Sequence, residues 1–142
     1  MERNHTRVLV VDDDPLMRRL VSRVLKEQGF TSIDQAVDGL AAFSQFQRAP
    51  YALVLTDWNM PNASGIDLVQ AIRTGSERAQ TPVLVLSGHV TSERVQEALA
   101  AGATGFVAKP FEVGRLCEKV LGALGLLSPV VASAYEARLF GR

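Results

Sequence analysis

The sequence predicts a doubly wound α/β domain, five strand–helix repeats around a parallel sheet, and three observations carry that prediction. Three short runs, Val8–Val11, Ala52–Leu55 and Val83–Leu86, are continuously apolar, rich in Val and Leu, and end at a polar residue. Strands covered by helices on both faces have this composition. Segments with apolar residues at helical spacing alternate with them, which implies right-handed crossovers and a parallel sheet. The size agrees: 142 residues, 47% apolar and 21% charged, suit one soluble domain with a sizeable core.

In chain order, the first strand is Val8–Val11. Asp14-Pro15 then offers an N-cap followed by proline at the first helical position. Leu16, Met17, Leu20, Val21, Val24 and Leu25 form the apolar stripe of the first helix, and Gly29 supplies its stop. Ile33–Val37, interrupted by Asp34 and Gln35, is a strand polar enough for a sheet edge. Ala42, Phe43 and Phe46 mark the second helix. After the strand Ala52–Leu55, Leu68, Val69 and Ile72 mark the third. After Val83–Leu86, Val95, Ala98 and Leu99 mark the fourth. Thr104–Ala108 is the second edge strand. The fifth helix carries Val113, Leu116, Cys117, Val120, Leu121 and Leu124 and closes near Ser128-Pro129. Residues 128–142 fall outside the repeat; Val131, Ala134, Tyr135, Arg138 and Leu139 suit a short amphipathic helix, a frayed end or a linker equally.

Charge and cysteine content remove several function classes. Fifteen basic residues balance fifteen acidic ones, so nothing resembles a nucleic-acid footprint or a polybasic membrane patch. The single Cys117 leaves no internal disulfide and no multi-cysteine zinc site; its place beside Val113 and Val120 reads as a core thiol. Met1–Arg7, which includes His5, is polar, with no signal-peptide pattern, and no run of apolar residues reaches membrane-spanning length. A cytoplasmic protein is expected.

In doubly wound folds ligands bind beyond the carboxyl ends of the strands, where strand order reverses. Asp12, Asp13 and Asp14 follow the first strand, Asp57 the third, Ser87 the fourth and Lys109-Pro110 the fifth. If strands one and three are neighbours, up to four carboxylates share one crevice. Two like charges ~4 Å apart repel by roughly 4 kcal/mol at an effective dielectric of about 20. Compensation has to come from a divalent cation, from the Lys109 ammonium, or from protonation of one carboxyl. Oxygen ligands without His or Cys favour Mg²⁺ or Mn²⁺ over zinc. Asp14, before Pro15, reads as the helix cap. Ser87 and Lys109 together put a hydroxyl and a cation where anionic oxygens would lie, as phosphoryl-transfer sites do.

The segments Val8–Asp14 (VLVVDDD), Thr56–Pro61 (TDWNMP), Val83–Gly88 (VLVLSG) and Phe106–Phe111 (FVAKPF) resemble the receiver domain of two-component response regulators, in its single-domain, CheY-like form. The resemblance covers about residues 6–126, and implies a receiver domain over 1–127 with 128–142 as a C-terminal tail. It implies the flavodoxin-like (βα)5 fold with strand order 2-1-3-4-5, and a cis Lys109-Pro110 peptide. Asp57 is then the phosphoacceptor, receiving its phosphoryl group from a sensor histidine kinase or a histidine phosphotransfer protein. Mg²⁺ falls to the Asp13 and Asp57 side chains and the Asn59 carbonyl, with Asp12 acting directly or through water. Lys109 pairs with the phosphoryl group and Ser87 donates to another of its oxygens. The loop after strand four then moves inward and Phe106 turns toward the core. A downstream protein is thereby addressed on the face of helix four, strand five and helix five.

Departures from the family pattern refine this. Phe106 stands where the chemotaxis proteins carry tyrosine, so no hydroxyl there recognises a motor target; Ser87 replaces threonine with equivalent chemistry. Asn59 and His89 occupy positions where the family tunes dephosphorylation. Arg18 and Arg19, beside the acids, read as solvated helix residues or kinase contacts.

Other readings are weaker. The chain is alternatively the regulatory domain of a larger transcription factor or enzyme, or a phosphorelay intermediate. An aspartate-nucleophile phosphatase needs an acid two residues after the nucleophile, where Asn59 stands. Nucleotide or flavin binding needs a Gly- or hydroxyl-rich loop where three aspartates lie. A receiver that takes no phosphate disagrees with a full set of chemical positions. The expectation is a phosphoacceptor signalling domain, not an enzyme.

Overall fold

The computed structural model describes residues 6–126. Its elements are β1 (Arg7–Val11), α1 (Pro15–Glu27), β2 (Ser32–Ala36), α2 (Gly39–Arg48), β3 (Leu53–Asp57), α3 (Gly65–Gly75), β4 (Val83–Ser87), α4 (Ser92–Ala101), β5 (Gly105–Ala108) and α5 (Val113–Ala123). All strand pairs are parallel and the order is β2-β1-β3-β4-β5. The doubly wound fold and its strand order are as expected. The order reverses between β1 and β3, which makes that junction the ligand crevice.

The unbroken apolar strands follow from a sheet packed on both faces. Side chains alternate along a strand, so Val8 and Val10 of β1 join Leu53, Leu55, Leu84, Leu86 and Val107 against α1 and α5. Leu9 and Val11 point the other way, with Val54, Val83 and Val85, against α2, α3 and α4. Either face would be left wet if one layer of helices were missing. The two strands expected at the edges, the polar β2 (SIDQA) and the short β5 (GFVA), lie there.

Helix boundaries follow local chemistry. Asp14 caps α1 by accepting from the Leu16 amide at 3.0 Å. Gly29 then takes φ 98°, and the Phe30 amide reaches back to the Leu25 carbonyl at 3.1 Å. That reversal needs a left-handed residue, which glycine adopts at least cost.

The stripe expected on α1 is too wide. Val21, Val24 and Leu25 are buried, but Leu16 is 70% and Leu20 46% exposed. Met17 is half-buried and packs with the core face, whereas Leu16 and Leu20 lie about 100° round the helix and face away. Leu99 and Val113 are likewise exposed: α4 fully buries only Ala98, and Val113 stands on the open first turn of α5. Helix α5 also ends earlier than expected, at Ala123, because Gly125 at φ 69° lets the Leu126 amide close onto the Leu121 carbonyl. The Ser128-Pro129 stop, the tail helix and His5 lie outside the described residues. Cys117 is half-buried and packs against the core beside α5's buried face. Among the described residues no helix is long and apolar enough to cross a membrane.

Candidate functional site

Register brings the acids together. Val11 pairs with Thr56, so the next residues, Asp12 and Asp57, leave adjacent strands side by side. Ser87 pairs with Ala108, which puts Lys109 one residue beyond on the far side of Asp57. Carboxylate oxygens of Asp12, Asp13 and Asp57 all lie within 4.8 Å of one another, about the spacing of neighbouring strands.

The trio is held unevenly. Asp12 is 4% exposed; its Oδ1 accepts from the Asp14 amide at 2.9 Å and its Oδ2 from Lys109 Nζ at 2.9 Å. Lys109 Nζ also donates to Asp57 Oδ1 at 2.9 Å. Asp13 is exposed at the mouth. Three carboxylates face one ammonium, so negative charge outweighs positive in the pocket. Burial pushes the Asp57 carboxyl above its ordinary range; the Lys109 hydrogen bond opposes that and the Asp12 charge adds to it. For Lys109, burial pulls the ammonium down, but its bonds to Asp12 and Asp57 outweigh burial and hold it above the usual lysine value. The cation thus stays charged while the acids remain under-compensated.

That imbalance tests whether the pocket suits a metal. Every donor is a carboxylate oxygen, no His or Cys is among them, and one wall is open through Asp13. A hard divalent ion fits such a set.

Ser87 is 1% exposed at the end of β4, and its hydroxyl is engaged by its own loop: the His89 amide donates to Oγ at 3.1 Å, and Oγ lies 3.4 Å from the His89 carbonyl. His89 and Asn59 are both exposed beside the crevice. The Lys109-Pro110 peptide is cis, and the Lys109 amide donates to the Ser87 carbonyl at 2.8 Å. Phe106 is half-buried, its ring edge-on to the 7%-exposed Trp58 at 6.2 Å between centroids.

Several residues shape the site without having been legible as such. Arg18 is no solvated helix residue: its Nη1 donates to the Asp12 carbonyl at 2.7 Å and its Nε to Gln35 Oε1 at 3.2 Å, bracing the acidic loop. Gly65 lets the start of α3 pass so close under the loop after β3 that a Cβ would overlap the Asp57 carbonyl oxygen. Its amide donates to the Trp58 carbonyl at 2.9 Å. The available signal for Gly65 was the capping box Ser64–Asp67, which fixes where α3 begins. Asn62, at φ 70°, donates from Nδ2 to Asp38 Oδ2 at 2.8 Å and ties the loop after β3 to the cap of α2. Arg94 of α4 stacks on Trp58 with its Cζ 4.2 Å from the ring centroid; no local pattern announces that contact.

The response regulator receiver domain family model matches residues 8–121. Among curated proteins, the chain is 40% identical over 114 residues to chemotaxis protein CheY-3 of Vibrio cholerae, covering 80% of this chain and 88% of that one. To chemotaxis protein CheY of Pseudomonas aeruginosa it is 37% identical, with 80% and 92% covered. Among solved structures, V. cholerae CheY4 superposes with a TM-score of 0.78 at 35% identity, over 84% of this chain and 98% of that one.

Proposed function

We propose, on the premise that this chain belongs to the response regulator receiver family of two-component signalling, that it accepts a phosphoryl group on Asp57 and switches a protein-binding face in response. One observation carries the proposal: Asp12, Asp13 and Asp57 converge in a crevice where Lys109 bridges two of them.

An Asp57 carboxylate oxygen attacks the phosphorus of a phosphohistidine on a sensor kinase or phosphotransfer protein. A P–O bond forms, the P–N bond breaks, and its electron pair stays on the imidazole nitrogen. Lys109 Nζ, already 2.9 Å from Asp57 Oδ1, turns to a phosphoryl oxygen without leaving the pocket. The Ser87 hydroxyl exchanges its loop partner His89 for another phosphoryl oxygen, which draws the β4–α4 loop inward. Asp13, Asp57 and the Asn59 carbonyl, with Asp12 directly or through water, are the residues that would hold Mg²⁺ or Mn²⁺. When bound, the ion supplies positive charge that offsets the negative charge growing on the phosphoryl oxygens and orients the in-line transfer.

The output follows from what adjoins Ser87 and Lys109. Phe106 and Arg115, with Val90, Val95 and Leu99, line a groove of about 340 Å³ between α4, β5 and α5. Movement of the β4–α4 loop and of the Phe106 ring reshapes it for a downstream protein partner. Moving a two-state population from 1:99 to 99:1 takes roughly 5.5 kcal/mol. One charge-assisted hydrogen bond contributes about 1.5–3 kcal/mol of that, so the isolated domain switches partially and its partner completes the shift. With Asn59 in place of an acid, turnover of phosphate esters is not expected.

The test is intact mass after incubation with a small phosphodonor and Mg²⁺. A single base-labile, acid-stable phosphoryl adduct is expected on the wild type and none on Asp57→Asn. An adduct persisting on that variant, or none on either protein, refutes the assignment.

A further inference from the structure

Arg94 makes a contact that the phosphoacceptor chemistry does not use. Its guanidinium lies over the indole of Trp58, the residue directly after the acceptor, with Cζ 4.2 Å from the ring centroid. Its Nη1 is buried without a hydrogen-bond partner. Among the described residues only Ser22 Oγ and Gln45 Oε1 share that condition, and both are neutral, so Arg94 is the one cation so placed. A buried guanidinium N–H without an acceptor is a cost that reduces the net gain of the π contact.

The contact also closes a ring of interactions around the acceptor. Trp58 is fixed from both sides, its amide donating to the Leu86 carbonyl at 3.0 Å and its carbonyl accepting from the Gly65 amide at 2.9 Å. From the indole the path crosses to Arg94, whose amide donates to the Thr91 cap oxygen at 3.1 Å. Thr91 follows His89, which holds the Ser87 hydroxyl. Ser87 ends β4, and β4 pairs with β3 at Leu86 and Asp57. Inward motion of the Ser87–Thr91 loop therefore pulls the first turn of α4, and with it the guanidinium, relative to a Trp58 whose backbone is held in place.

We propose that Arg94 is a positioning residue: it clamps the Trp58 indole in the unphosphorylated protein and thereby sets how readily Asp57 takes its phosphoryl group. The proposal rests on Asp57 being the phosphoacceptor. Releasing the clamp loses the cation–π contact but returns Nη1 to solvent, so part of the loss is recovered and a modest pull on α4 can open it. Because the clamped arrangement has to yield before the loop closes, removing it raises the population competent for phosphorylation.

Three single variants, Arg94→Met, which keeps the stem and removes the charge, Arg94→Lys and Trp58→Leu, and the Trp58→Leu/Arg94→Met double variant test this. Adduct formation from acetyl phosphate with Mg²⁺ is followed by intact mass, and Trp58 emission is recorded before and after. Arg94→Met is expected to take phosphate faster by roughly 3- to 30-fold, the range a cation–π contact spans between exposed and desolvated settings. Arg94→Lys falls between it and the wild type. The emission of unphosphorylated Arg94→Met should already lie displaced toward that of phosphorylated wild type. In the Trp58→Leu background, Arg94→Met should change nothing further, since the coupling passes through the ring. An unchanged or slower rate in Arg94→Met, or additive effects in the double variant, overturns the clamp while leaving the acceptor assignment intact. Absence of an adduct on the wild type overturns both.

Discussion

Replacing Lys109 by Met tests the electrostatic heart of the site. The ammonium contacts Asp12 Oδ2 and Asp57 Oδ1 at 2.9 Å each, and the three side chains are only 17%, 5% and 12% exposed. At an effective dielectric of about 20, each contact is a gross attraction of about 6 kcal/mol. Much of that is cancelled by the desolvation of the ammonium, so the measurable loss is set by the carboxylates left behind. Removing one partner of a buried pair typically costs about 3–5 kcal/mol. Here the survivors also repel each other: at 4.8 Å or less, two carboxylates cost about 3–4 kcal/mol on the same scale.

Urea unfolding in chelator should therefore show Lys109→Met less stable by about 3–5 kcal/mol. With an m-value inside the usual range of about 1–3 kcal/mol/M, the midpoint falls by about 2 M. Adding Mg²⁺ should narrow the gap, because the ion restores the missing positive charge and binds the variant more tightly than the wild type. Asp57→Asn should move the other way. A carboxyl whose folded pKa is raised above 3.8 holds its proton more tightly folded than unfolded. Stability is therefore lost as pH rises past that range, and at pH 7 the neutral amide recovers it. A midpoint for Lys109→Met within about 0.3 M of wild type in chelator, or weaker Mg²⁺ binding by the variant, would refute the account of the pocket as under-compensated.

Two further predictions concern the frame around the site. Tyr51, whose hydroxyl donates to Asp34 Oδ2 at 2.6 Å, is pushed up to about 12, first by burial and then by that bond. Because the folded pKa exceeds the unfolded value of 10.0, its contribution is full below pH 10 and is lost as pH rises toward about 12. In Tyr51→Phe that alkaline decline should vanish from the wild-type-minus-variant difference in unfolding free energy; its persistence would mean another group titrates. Gly65→Ala should destabilise by about 3 kcal/mol, since the new Cβ overlaps the Asp57 carbonyl and backbone has to move. Its urea midpoint is the readout, and a neutral outcome would show that the acceptor loop is looser than its packing implies.

The fold was legible because its determinants are local. The continuous apolar runs of β1, β3 and β4 announce burial on both faces, and the polar β2 and the short β5 announce edges. The crevice was legible for the same reason: Asp12, Asp57, Ser87 and Lys109 stand where strands end, and strand ends converge in this topology. What escaped is long-range or rotational. Leu16, Leu20 and Leu99 carry the right residue type, but a helix stripe drawn from spacing alone does not say how far a neighbouring layer wraps around it. Arg18 looked like a surface cation, and Arg94 drew no reading at all, because the carbonyl and the indole that hold them belong to other loops. Gly65 was invisible for the opposite reason, as its importance lies in an atom it lacks.

The same geometry explains why a domain retains so unfavourable a pocket. A structure selected for stability alone would replace Asp57 with a neutral residue and release Lys109 from two simultaneous pairings. Keeping three acids around one ammonium leaves the pocket with a deficit of positive charge that a hard divalent cation can relieve. Lys109 is shared between Asp12 and Asp57 instead of being committed to one, and Ser87 is held by a long hydrogen bond within its own loop. Each donor can therefore trade one acceptor for another without leaving its place, whereas the backbone beneath them, pinned by Arg18, Gly65 and the Lys109 amide, cannot move with them. Side chains able to trade acceptors on a tightly held frame let a change at one carboxylate be transmitted to a loop and a helix without unfolding either.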